Sequence, residues 1–214
     1  NMPSYNTDEF KNRFIVIEGI DGAGTTTQVR LLAESLIAGG FSCIVTAEPT
    51  MNHIGQLIRT ILSGEDIVAP TTVAHLFAAE RNEHLYGKNG IIESLKAGSM
   101  VVSDRYVLSS LAYQGTTCGP RLPWLLNSTF PAPGLTLLFE VDPEICITRI
   151  RSRLKKEIYE TLEFQRKVQN MYERMADRLS HKGWRIERID GSKDIESVHQ
   201  QIESIVLSFL GVEC

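Results

Sequence analysis

Between a short apolar run, Phe14–Ile17, and a stretch of helical period, Thr26–Ile37, stands the segment Gly19-Ile20-Asp21-Gly22-Ala23-Gly24-Thr25-Thr26. A glycine-rich turn that passes from a buried strand straight into a helix belongs to α/β architectures built on a parallel sheet. Its physics is local. Glycines let backbone N–H groups converge on an anion, and the helix N-terminus adds a favourable dipole. The spacing is that of the phosphate loop GxxxxGK[ST], with one departure: Thr25 stands where lysine is expected. Thr26 holds the position whose hydroxyl ordinarily ligates Mg2+. Taken alone, the turn is also compatible with plain packing or with a loop for another anion.

The rest of the chain keeps the rhythm of alternating strand and helix. Strands are expected at Phe14–Ile17, Phe41–Thr46, Met100–Ser103, Leu135–Val141 and Trp184–Ile189. Helical periods cover Thr26–Ile37, Ile54–Leu62, Val73–Leu85, Ile91–Ala97, Leu162–Leu179 and Ile195–Leu210, and Pro143 suits the first residue of another helix. The expected fold is a five-stranded parallel sheet with helices on both faces. No Pro/Gly/Ser-rich linker divides the 214 residues, so 12–214 is expected to be one domain. Segment 1–11 is polar and expected to be disordered or foreign to the natural chain, since Asn1 precedes Met2.

Composition narrows the function. A net charge of -4 argues against a non-specific nucleic-acid binder. No apolar run approaches the ~20 residues that span a bilayer, and the polar N-terminal stretch lacks the apolar core of a signal peptide, so a cytoplasmic location is expected. Cys43, Cys118, Cys146 and Cys214 show no CxxC spacing, which speaks against zinc.

Two further segments carry chemistry. Asp104-Arg105 follows a strand and is expected at the C-terminal edge of the sheet, where open α/β folds bind ligands. An arginine there can fork onto a phosphate, and the adjacent carboxylate can orient it or hold Mg2+ through water. Phe77 and Arg81 lie four apart on one helix face, able to stack a base and donate to a carbonyl, or simply to pack.

The loop segment Phe14–Gln28 (FIVIEGIDGAGTTTQ), Leu76–His84 (LFAAERNEH) and Asp104–Gly115 (DRYVLSSLAYQG) together resemble the thymidylate kinase family of P-loop nucleoside-monophosphate kinases, in the same order and spacing. The resemblance implies transfer of the γ-phosphoryl group of ATP to dTMP, with Mg2+ as cofactor. It places Gly19, Gly22, Ala23, Gly24, Thr25, Thr26 and Thr27 on the donor nucleotide. Asp21, Glu48, Phe77, Arg81, Arg105, Ser110, Tyr113 and Gln114 fall on the acceptor, and Thr26, Asp21 and Asp104 around the metal. Phe77 would be the base platform, Arg81 the donor to O4, Arg105 the phosphate clamp, and Tyr113 the ring that excludes a 2′-hydroxyl. Ala47 and Thr50 stand where bacterial relatives often carry arginine and glycine; Arg59 is a candidate to compensate.

Arg149, Arg151, Arg153, Lys155 and Lys156 crowd into eight residues of an otherwise acidic chain. The resemblance makes about 150–160 a short lid, with Arg149 packed on the donor adenine and Arg151, Arg153, Lys155 and Lys156 as candidates for closing over the phosphates. These lid cations are the expected replacement for the missing lysine. The alternative is a pseudoenzyme that binds nucleotide without transfer; a kinase for another deoxynucleotide is a further reading. A homodimer is expected from the family alone.

Overall fold

The computed structural model describes residues 11–150, 159 and 161–212. Five parallel strands form one sheet: β1 (Phe14–Glu18), β2 (Cys43–Ala47), β3 (Met100–Asp104), β4 (Leu135–Glu140) and β5 (Ile186–Asp190), in the order β2-β3-β1-β4-β5. All five residues of β1 and of β3 are buried. Strands hidden on both faces must be almost wholly apolar, which is why these runs show no alternation. The edge strands β2 and β5 are only partly covered.

Nine helices of the described residues complete the α/β fold. They are α1 (Thr25–Ala38), α2 (His53–Leu62), α3 (Pro70–Tyr86), α4 (Ile91–Lys96), α5 (Val107–Cys118), α6 (Arg121–Asn127), α7 (Pro143–Ile150), α8 (Leu162–Ser180) and α9 (Ile195–Leu210). Helix α1 packs with α9, while α5 packs with α3, α6 and α8. The expected five-stranded parallel sheet is therefore present. None of the described helices is long and apolar enough to cross a membrane.

Two strands start later than their apolar runs suggest, for the same reason. Phe41 donates its N–H to the Leu36 carbonyl (3.0 Å) and Trp184 to that of Leu179 (3.1 Å), so each closes the preceding helix before the strand begins. Two helices have no counterpart in the apolar periodicity. Helix α5 is buried along most of its length, so its sequence lacks a polar stripe. Helix α6 has only seven residues, too few for a period to show. Both shape the site.

Register brings the site together. Ile17 of β1 pairs with Asp104 of β3, so the two strands end level. The glycine-rich turn and Arg105 therefore leave the sheet side by side, at the C-terminal edge where the strand connections diverge.

Candidate active site

A cavity of about 780 Å³ opens at that edge. The volume lies within the range of small-molecule sites. Asp21, Gly22, Ala23, Gly24, Thr25, Thr26 and Thr27 line it, as do Glu48, Phe77, Arg81, Asp104, Arg105, Ser110, Tyr113, Gln114 and Arg149. Residues from the turn, α3, β3, α5 and α7 thus meet in one space. Gly19 is the exception: it does not line the cavity, and its carbonyl accepts from the Tyr172 hydroxyl (3.1 Å). Arg151 and Arg153 lie outside the described residues.

The turn's glycines serve two different needs. Gly24 has φ 98° and caps α1, whose first turn then aims its N–H groups at the cavity. Gly22 has φ 86°, and a Cβ there would come within 2.5 Å of the Cys146 carbonyl oxygen. It therefore lets α7 pack against the turn. Thr25 is buried, while Thr26 is exposed and donates its hydroxyl to Asp104 Oδ2 (2.5 Å). The other Asp104 oxygen, Oδ1, is buried without a partner among the described residues. A hydroxyl beside an orphaned carboxylate oxygen is the donor set a hard divalent cation takes, so the residues present fit Mg2+.

Arg105 carries the second charge of the site. Its φ of 74° is unusual for a residue with a side chain. Two bonds hold that conformation: its N–H donates to the Ile17 carbonyl (2.9 Å), and its carbonyl accepts from the Ser103 hydroxyl (2.8 Å). The guanidinium pairs with Asp21 at 2.6 Å and lies 5.1 Å from the centre of the Tyr113 ring. Burial alone would weaken its charge, but Tyr113, Asp21, Tyr172 and Asp104 outweigh it and raise Arg105 well above the ordinary arginine range. Tyr113 both packs and lines the cavity. Its hydroxyl accepts the Asp21 N–H (3.0 Å), so the ring is fixed against the turn.

Arg81 is 1 % exposed, and most of its donors are committed. Nε and Nη2 both reach Glu48 Oε2, at 2.9 and 2.5 Å. Nη2 also reaches the Tyr106 carbonyl (2.9 Å) and the Ser110 hydroxyl (3.1 Å). Glu48 Oε1 in turn contacts His84 Nδ1 (3.1 Å). Glu48 thus has both oxygens engaged by protein and braces Arg81. Gln114, one turn after Ser110 on α5, is buried with its Oε1 unpartnered among the described residues. Phe77 is half-buried and packs against the core from the cavity side.

Arg149 lays its guanidinium across backbone oxygens of the turn and of the loop after β5. Its Nη1 reaches the carbonyls of Ala23 (3.4 Å) and Gly191 (3.3 Å). Arg59 and Lys193 also line the cavity, so cations other than the lid surround it.

Several partners of these residues are not evident from sequence. Gln165 of α8 is buried and donates Nε2 to Asp21 Oδ2 (2.9 Å) and to the Tyr159 carbonyl (2.8 Å). Tyr172 and Ser109 join Arg105 to Glu18 of β1. The available signal was a glutamine and a tyrosine on the apolar stripe of α8, with Val168, Met175 and Leu179. Asn127, an acceptor for Arg81 Nη1, gave none.

A model of the thymidylate kinase family matches residues 17–202. Three relatives bear thymidylate kinase names. The Treponema pallidum (strain Nichols) protein is 40 % identical over 194 residues, 89 % of this chain and 93 % of its own length. That of Thermococcus kodakarensis is 40 % identical over 211 residues, 94 % and 100 % of the two chains. That of Pyrococcus horikoshii is 37 % identical over 201 residues, 90 % and 95 %. With the family model spanning most of its length around this cavity, the chain belongs to the thymidylate kinase family.

Proposed function

We propose that the chain phosphorylates dTMP to dTDP with ATP and Mg2+, as one step in dTTP synthesis. One observation carries the choice of acceptor. Arg81, a cationic donor, and Gln114, whose buried Oε1 has no partner among the described residues, line the cavity from adjacent helices. Thymine offers the complement, an acceptor at O4 and a donor at N3. Cytosine reverses both. A buried polar group left unpaired costs about 1–3 kcal/mol, so the reversed base is rejected.

The remaining residues take roles consistent with their positions. Phe77 stacks the base, and Tyr113 closes the space beside the sugar's 2′ carbon. Arg105 leaves its pairing with Asp21 to fork onto the acceptor phosphate, and the freed Asp21 takes the 3′-hydroxyl. The N–H groups of Gly22, Gly24, Thr25, Thr26 and Thr27 surround the donor phosphates, and Arg149 covers the adenine. Thr26 and Asp104 would hold Mg2+, which would supply charge neutralisation at the donor phosphates. Two polyanions must meet in line, so positioning and cations carry the catalysis, without a covalent intermediate.

Thr25 favours a second reading. The threonine is buried and uncharged, so the loop lacks a cation of its own. Arg151 and Arg153 of the lid are the proposed substitutes; failing them, the protein binds nucleotide without transfer. A coupled ADP-release assay with dTMP, dUMP, dCMP and nucleotide-free controls separates the readings. Release stimulated most by dTMP supports the kinase. Calorimetric dTMP binding without ADP release establishes the pseudoenzyme.

A further inference from the structure

We infer that Asn127, which touches neither nucleotide, sets the base preference of the site by fixing Arg81; this rests on the acceptor site proposed above. Asn127 ends α6, is 5 % exposed and does not line the cavity. Its Oδ1 accepts from Arg81 Nη1. Its Nδ2 donates to the Pro123 carbonyl (2.8 Å), which decides which end of the amide faces the arginine.

A guanidinium has five N–H hydrogens. Glu48, Tyr106 and Ser110 take those on Nε and Nη2. Asn127 takes one of the two on Nη1, and the other is the one Arg81 donor left without an acceptor among the described residues. The rings of Tyr106 and Phe130 flank the group at 5.2 and 5.8 Å, and Phe130 comes from the turn just after Asn127. The guanidinium plane is thereby fixed at both ends. A donor held at one point meets O4 of thymine as a partner but the 4-amino group of cytosine as a second donor. Without Asn127 the guanidinium is held only along its Nε and Nη2 edge, by Glu48, Tyr106 and Ser110, and the whole group can tilt to carry Nη1 away from an opposing amino group. The mismatch then relaxes and selectivity falls. Asn127 is a positioning residue on this account.

The test compares kcat/KM for dTMP and dCMP in the wild type, Asn127→Leu and Asn127→Asp, with KM for ATP as the control. Asn127→Leu is expected to lower the dTMP-to-dCMP ratio about tenfold, mainly by raising kcat/KM for dCMP, and to leave KM for ATP unchanged. Asn127→Asp keeps an acceptor for Nη1 but loses the donor to the Pro123 carbonyl, and is expected to retain more of the ratio than Asn127→Leu. Should Asn127→Leu fail to fold, Asn127→Ser, whose hydroxyl falls short of Nη1, replaces it. An unchanged ratio in the Leu or Ser variant overturns the inference. So does an equal loss with ATP and dTMP, or a ratio in Asn127→Asp no higher than in Asn127→Leu. A wild type that does not prefer dTMP contradicts the acceptor site itself, a different failure.

Discussion

Replacing Glu18 by glutamine should change how stability depends on pH. Glu18 is fully buried at the end of β1. Its Oε1 accepts the N–H groups of Tyr106 (2.9 Å) and Ser109 (3.3 Å), and so caps the first turn of α5, the helix that carries Ser110, Tyr113 and Gln114. Its Oε2 accepts from the Ser109 hydroxyl (2.5 Å) and the Tyr172 hydroxyl (3.3 Å). Burial raises its pKa from 4.5 to about 7, against the Ser109 bonds and the charges of Arg105 and Arg81, which lower it. The folded state therefore holds a proton that the unfolded chain releases at lower pH. Stability falls as pH rises from about 4.5 to about 7, and the full penalty is present above that. The rise corresponds to about 3 kcal/mol at ~1.4 kcal/mol per pH unit. Glutamine keeps an acceptor for the two backbone N–H groups and does not titrate. Denaturant unfolding at pH 4.5 and 8 should show Glu18→Gln gaining about 3 kcal/mol relative to wild type between the two. Parallel pH profiles would refute the reasoning.

Other substitutions probe the chemistry directly. Arg105→Ala should weaken dTMP binding by about 1.5–3 kcal/mol or more, measured by calorimetry, because no neighbour can replace a bidentate clamp; unchanged affinity rejects the assignment. Tyr113→Ala should reduce the preference for dTMP over its ribose counterpart, and equal losses with both would assign the ring to stability alone. Thr25→Lys restores a fixed cation and should raise kcat. If it does not, the charge resides elsewhere, and replacing Arg151 and Arg153 together by neutral residues should lower kcat ~10³-fold.

The glycine turn, the buried strands and the DR pair were legible because each depends on local chemistry: backbone freedom, an apolar run and a charge at a strand terminus. The partners of Arg81 were not. Glu48, Ser110 and Asn127 lie 33, 29 and 46 residues from it in sequence; the packing of α3 against α5 and α6 brings Ser110 and Asn127 to it, and Glu48 arrives from the loop after β2. Helix α5 escaped notice for a related reason, since a helix buried on most faces has no polar stripe to reveal its period. Phe41 and Trp184 read as strand residues because their side chains are apolar; their N–H groups are spent on closing helices, which side-chain pattern cannot express. Gln165 marks the limit. A glutamine on an apolar stripe signals a buried polar contact, but not that the contact is Asp21.

The central claim is that this cavity transfers a phosphoryl group although the loop lysine is absent. The direct measurement is chromatographic detection of dTDP and ADP formed by purified protein from dTMP, ATP and Mg2+ in a single turnover. Equal amounts of both products, lost when Mg2+ is chelated or Arg105 is replaced by alanine, are predicted. Binding of dTMP with no dTDP at any protein concentration would contradict the claim.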